Sequence, residues 1–136
     1  MIRVVLDPGV LVSALISPTG SPAMLIRAWI DGAFDLVVCE TLLDELDAVL
    51  RRSKFRKYFR EEEGSAFVEW LRESALIVPD PIEVRRVTPD PADDYLVALS
   101  IEAGAQVLVS GDSDLTGLPG AQPRVLTPHA FLDMLV

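Results

Sequence analysis

The sequence predicts an α/β fold, a three-layer α/β/α sandwich on a central, mostly parallel sheet of four to five strands. Three observations point there. Short runs rich in β-branched residues alternate with longer amphipathic stretches, the pattern of parallel strands joined by crossover helices. The first run, residues 2–6, is nearly continuously apolar, as in a strand covered on both faces. The 136 residues suffice for one domain with a real core and are too few for two, so 1–136 is read as a single domain.

The elements follow in order. Asp7, Pro8 and Gly9 stop the first strand, and the apolar run from Val10 to Ile16 predicts a short helix. After the break at Pro18–Pro22, Ser21 reads as the N-cap of a helix that Pro22 opens and Gly32 ends. Phe34 to Cys39 predicts a second strand and Glu40 to Arg51 a second long helix. A basic run, a run of three glutamates, a helix from Ser65 to Ser74 and a strand from Ala75 to Val78 come next. Pro79 to Pro91, with four prolines, predicts the longest irregular connection. A helix from Pro91 to Ala103 is closed by Gly104. Gln106 to Val109 predicts a strand, followed by a Gly-Asp turn, a loop with Gly117, Pro119 and Gly120, a strand at Arg124–Leu126 and a last helix from Pro128. There is no repeat and no low-complexity segment.

Half the residues are hydrophobic and a quarter charged, a globular composition. No apolar run reaches the roughly 20 residues of a membrane span. Asp7, Pro8 and Gly9 interrupt the early apolar run, so no signal peptide is expected there. Cys39 is the only cysteine, which excludes an intrachain disulfide and favours a cytoplasmic location. Its setting reads as a buried strand position. The net charge of −9 argues against a passive nucleic-acid coat, whose affinity rests on neutralising phosphates. It leaves open an enzyme that brings metal ions to phosphate.

Four acids stand out. Asp7 ends a central parallel strand, where open α/β sheets bind ligands; it reads equally as the cap of the next helix. Glu45 borders the apolar stripe of its helix, between Leu42 and Val49, either as a site residue or in a salt bridge. Asp94 heads a stripe continued by Ala98 and Ile101, and favourable placement in a first helical turn is its plain alternative. Asp93, a quarter-turn away, lines up with Ser100 and is expected to face outward; Asp90 reads as the helix cap. Asp112 follows the strand 106–109, with Asp114 two residues on. Acids converging from two strand ends and two helices need cations to stay ionised together. Hard oxygen ligands suit Mg²⁺ or Mn²⁺, ions that can activate water and stabilise the leaving oxygen of a phosphodiester.

Four motifs in order carry a resemblance: Val-Val-Leu-Asp7-Pro-Gly-Val-Leu-Val-Ser-Ala-Leu; Leu-Leu-Asp-Glu45-Leu with Val-Leu-Arg-Arg just after it; Asp-Pro-Ala-Asp-Asp94-Tyr-Leu-Val-Ala-Leu; and Val-Leu-Val-Ser-Gly-Asp112-Ser-Asp114-Leu. The chain resembles a PIN domain over almost its whole length, and within that superfamily the VapC-like ribonuclease toxins of toxin–antitoxin pairs. The resemblance implies a Mg²⁺- or Mn²⁺-dependent endoribonuclease with Asp7, Glu45, Asp94 and Asp112 catalytic and Asp114 an occasional extra metal ligand. It implies Ser110 and residue 9 as supports of the site, RNA as substrate and a small antitoxin as partner. The family usually reads Asp-Thr-Asn where this chain has Asp7-Pro8-Gly9, which implies an attenuated site that Gly9→Asn would improve.

The bases Arg51, Arg52, Lys54, Arg56 and Lys57, interleaved with Phe55, Tyr58 and Phe59, form a candidate RNA track, or else a solvated helix end paired with Glu61–Glu63. His129 is not expected to be catalytic, and Trp29 and Trp70 read as core or interface. The helices at 10–16 and 22–30 could support a homodimer or simply the monomer's core. Two other functions stay open: a PIN fold kept as a binding or dimerisation module, and a phosphoryl-transfer enzyme using Asp7 as nucleophile, which lacks a well-placed lysine.

Overall fold

The computed structural model describes residues 1–118 and 123–135. Pro119 and Gly120 of the expected loop lie outside the described residues. Strand β1 (Arg3–Leu6) buries Val4, Val5 and Leu6 completely. Asp7 leaves it in extended backbone and caps α1 (Pro8–Ile16). The helix starts two residues before the apolar run because Pro8 suits a first turn, where its missing N–H costs nothing. Helix α2 (Ser21–Ile30) is capped by Gly20 rather than Ser21. Gly32 then turns the chain at φ +86°, open to glycine without strain. Strand β2 (Asp35–Val38) and helix α3 (Glu40–Leu50) follow, with Cys39 fully buried between them.

A single 3-10 turn (Ser53–Phe55) precedes α4 (Glu61–Ser74). That helix starts four residues earlier than expected. Glu61, Glu62 and Glu63 form its first turn, where the helix dipole favours acids, and Glu63 accepts from the Arg60 N–H. Strand β3 (Leu76–Ile77) is short and exposed. Helix α5 (Pro91–Glu102), strand β4 (Val107–Val109), the short helix α6 (Ser113–Thr116), strand β5 (Arg124–Leu126) and helix α7 (Pro128–Leu135) complete the chain.

The five strands form one sheet in the order β3-β2-β1-β4-β5, with every pairing parallel. Crossovers from β1 to β2 to β3 step one way across it, and the return to β4 steps the other way. Right-handed connections therefore put α1–α4 on one face and α5 on the opposite face. The packing agrees: α1 meets α2 and α3, α3 meets α4, and α7 meets α2, while α5 lies on β1 and β4. Phe34 and Phe131 stack edge to face at 5.3 Å in the core, and Trp29 packs 5.1 Å from Trp70. Among the described residues no single helix is long and apolar enough to cross a membrane.

Candidate functional site

Register places the first two parts of the site. Leu6 pairs with Val109, so Asp7 and Ser110 leave neighbouring strands side by side. The Ser110 hydroxyl donates to Asp7 Oδ2 at 2.6 Å and accepts from the Asp112 N–H at 3.0 Å, tying the two strand ends together. Asp7 Oδ1 accepts from the Gly9 N–H at 2.5 Å. Gly9 thus supports Asp7 through its backbone, in ordinary helical conformation. A Cβ there would sit 3.0 Å from Asp7 Oδ1, so an added side chain crowds the carboxylate it was expected to orient. Asp112 caps α6 and accepts from the Asp114 N–H at 2.9 Å. Asp7 and Asp112 open onto a cleft of about 400 Å³ that runs past Ser13, Pro22 and Pro128.

Glu45, on α3, reaches the same edge. Its Oε1 accepts from the Tyr95 hydroxyl at 3.0 Å. Burial raises its pKa, the Tyr95 hydrogen bond and Arg52 oppose the rise, and Asp7 and Asp90 add to it. The fourth acid is Asp93. Burial and the charges of Asp112, Asp90 and Asp7 push its carboxyl up to about 6.

Asp94 points elsewhere, contrary to the sequence reading. Its Oδ1 accepts from the N–H groups of Thr88 at 2.8 Å and Val87 at 3.1 Å, and Arg86 Nε lies 3.1 Å from Oδ2 without hydrogen-bonding alignment. Burial raises its pKa, but the hydrogen bonds of Thr88 and Val87 and the charge of Arg86 outweigh that and leave it lowered. Farther along α5, Glu102 Oε2 accepts from the Ile82 and Glu83 N–H groups at 3.0 and 3.2 Å. The two acids tie the 79–90 connection down as a strap beside a separate groove of about 470 Å³.

Asp94 is buried as expected, with Ala98 beside it, but against the 79–90 strap and not at the strand ends. Ile101, expected inward, is 58 % exposed, whereas Ser100 is completely buried. The Ser100 hydroxyl donates back to the Leu96 carbonyl at 2.8 Å, which hides its polarity within the helix. Asp93 is partly buried and heads a second buried stripe, Leu96, Ser100 and Ala103, on the side of Asp7 and Asp112. Alignment of Asp93 with Ser100 was the available signal, misread because serine was counted as polar.

A PIN domain family model matches residues 3–114. The chain belongs to the PIN domain family. A curated relative, the uncharacterized protein MJ1680 of Methanocaldococcus jannaschii, is 26% identical over 141 aligned residues, covering 97% of this chain and 90% of that protein. Among solved structures, PAE2754 from Pyrobaculum aerophilum superposes with TM-score 0.70 at 18% identity, covering 98% of this chain and 89% of that one. VapBC2 from Rickettsia felis, bound to a DNA fragment from its promoter, superposes with TM-score 0.62 at 11% identity, covering 93% and 98%. These two likenesses concern the fold.

PIN domains are generally nucleases and typically use divalent metals. Among the described residues no three acids of this PIN domain stand at the spacing of a closed ligand set. The donor chemistry nonetheless fits a hard cation: the acids on β1, α3, α5 and the β4–α6 turn are carboxylates, Asp7 and Asp112 help to raise Asp93, and Asp7 helps to raise Glu45.

The basic run is only partly available to a ligand. Phe55 and Phe59 are buried and stack on each other at 6.0 Å, so neither is free to stack on a base. The half-buried Arg56 donates to the Leu50 carbonyl and lies over the Phe59 ring, closing the end of α3. Arg51 is bonded to Asp47 at 2.9 Å and Glu61 at 2.7 Å. Arg52, Lys54, Lys57 and Tyr58 remain exposed. His129 lies in the open, 3.5 Å from Asp133.

Proposed function

We propose that this PIN domain is a Mg²⁺- or Mn²⁺-dependent endoribonuclease and the toxin of a toxin–antitoxin pair, acting through Asp7, Glu45, Asp93 and Asp112. What supports the reading is the influence of these acids on one another: burial with Asp112, Asp90 and Asp7 raises Asp93 to about 6, and burial with Asp7 and Asp90 raises Glu45. Asp7, Asp93 and Asp112 would hold the ion, with Glu45 beside them and Asp114 contributing its backbone N–H to Asp112. When bound, such an ion activates water and offsets charge on the leaving oxygen. The chain's own residues do the rest. Ser110 and the Gly9 N–H fix Asp7, and Ser110 fixes the turn that carries Asp112. Arg52, whose charge acts on Glu45, and the exposed Lys54 and Lys57 after α3 would offer phosphate contacts. A small antitoxin would act by occluding the acidic cleft; the fold shared with VapBC2 supports a partner of this kind. A homodimer and a cytoplasmic RNA substrate belong to the same reading.

A weakened PIN fold serving as a binding module is favoured by one observation: among the described residues no three acids stand at the spacing of a ligand set. One experiment separates the two. Purified protein is incubated with structured RNA and Mn²⁺, beside Asp7→Asn, Asp93→Asn and a chelator control. Cleavage lost in all three supports the nuclease. Cleavage that persists in Asp7→Asn overturns it, and metal binding without cleavage in any variant puts the binding module ahead.

A further inference from the structure

Tyr95 stands between the two helical layers. It lies on α5, two residues after Asp93, and its hydroxyl donates at 3.0 Å to Glu45 Oε1 on α3, fifty positions away in sequence. Helix α5 rests on β1 and β4, whereas α3 packs against α1 and α4. The bond therefore passes over the carboxyl edge of the sheet, the edge that carries Asp7 and Asp112. Glu45 itself is on the exposed part of α3, and a glutamate there has three rotatable bonds with which to leave the crevice. A phenol is suited to stop it, being rigid, half-buried here, and a donor whose bond to a carboxylate is stronger than one between neutral groups. Asp7 is held in the same way by Ser110. Each of these two acids thus has a neutral hydroxyl from another element on one oxygen; the Gly9 N–H holds the second oxygen of Asp7, while Glu45 is held through Oε1 alone.

We propose that Tyr95 is a positioning residue: on the nuclease reading above, on which this inference rests, it holds Glu45 through Oε1 at the acidic crevice, where Glu45 would serve a bound cation. Tyr95 does not touch the substrate in this account. Its effect runs through Glu45 alone, and that separates it from a tether that merely joins two layers.

The test compares wild type, Tyr95→Phe, Glu45→Gln and the double variant by RNA cleavage kinetics, Mn²⁺ calorimetry and thermal denaturation. Tyr95→Phe keeps the ring and its packing. It should lower kcat by roughly 10–100-fold, the usual loss for a residue that orients a metal-site carboxylate, with KM and Tm nearly unchanged and Mn²⁺ affinity reduced. In Glu45→Gln the additional loss on changing Tyr95 should vanish. Multiplicative losses in the double variant, or a change confined to KM or Tm, would overturn the proposal. If wild type shows no Asp7-dependent cleavage, the nuclease reading fails on its own and calorimetry decides the positioning role. A Tyr95→Phe protein that binds Mn²⁺ as tightly as wild type would then refute it.

Discussion

Replacing Asp94 by alanine removes the acceptor on which the strap is hung. Thr88 is buried, and its N–H would lose its 2.8 Å partner. An orphaned buried donor costs about 1–3 kcal/mol. The Val87 N–H, 3.1 Å from the same oxygen, is less enclosed and regains water, so its net loss is about 0.5–1 kcal/mol. The exposed Arg86 pair adds little. The sum is about 1.5–4 kcal/mol. With an unfolding entropy of about 2.1 cal/mol/K per residue over 136 residues, each kcal/mol lowers Tm by about 3.5 °C. Asp94→Ala should therefore melt roughly 5–14 °C below wild type. Asp94→Asn keeps an oxygen that can accept both N–H groups, loses only the charge, and should fall by about 4 °C. Differential scanning calorimetry in chelator, at pH 7, reads both. An Asp94→Ala protein within about 2 °C of wild type would refute the claim that this carboxylate holds the strap.

Asp93 should behave in the opposite sense. Its folded pKa is raised from the ordinary carboxylate range to about 6, so the stability it contributes is full below pH 4 and is lost as pH rises through 6. Discounted for partial exposure, the loss is about 1 kcal/mol, and Asp93→Asn should raise the metal-free Tm at pH 7 by about 3–4 °C with no gain at pH 4. Gly9→Asn should not raise RNA cleavage, because its Cβ would stand 3.0 Å from Asp7 Oδ1 and displace the carboxylate; a gain of about tenfold, typical of an added orienting contact, would show that the carboxylate can yield.

The sheet was legible because burial on both faces leaves a plain signature: residues 3–6 and 107–109 are apolar with almost no interruption. Asp7 and Asp112 were legible for the same reason, as each is the first acid after such a strand. Helix α5 was harder. It is buried over most of its surface, from Leu96 to Ser100, so its hydrophobic periodicity barely distinguishes one face from another. Two adjacent aspartates then offer no contrast, and only the back-bonded Ser100 tells which of them heads the inward face. Tyr95 gave no local signal at all, because its partner lies on another helix. The aromatics at 55 and 59 were misplaced for a related reason. In a run this basic they look exposed, yet they fill the gap between the ends of α3 and α4.

The most direct test of the account is the Mn²⁺-induced rise in Tm, measured in parallel on wild type, Asp93→Asn and Asp94→Asn. An ion that binds only the folded site stabilises it by mass action, about 2.7 kcal/mol at a hundredfold excess over Kd. The account predicts a rise of roughly 9 °C in wild type, a comparable rise in Asp94→Asn from its lower starting point, and none in Asp93→Asn. A rise abolished in Asp94→Asn and retained in Asp93→Asn would contradict it.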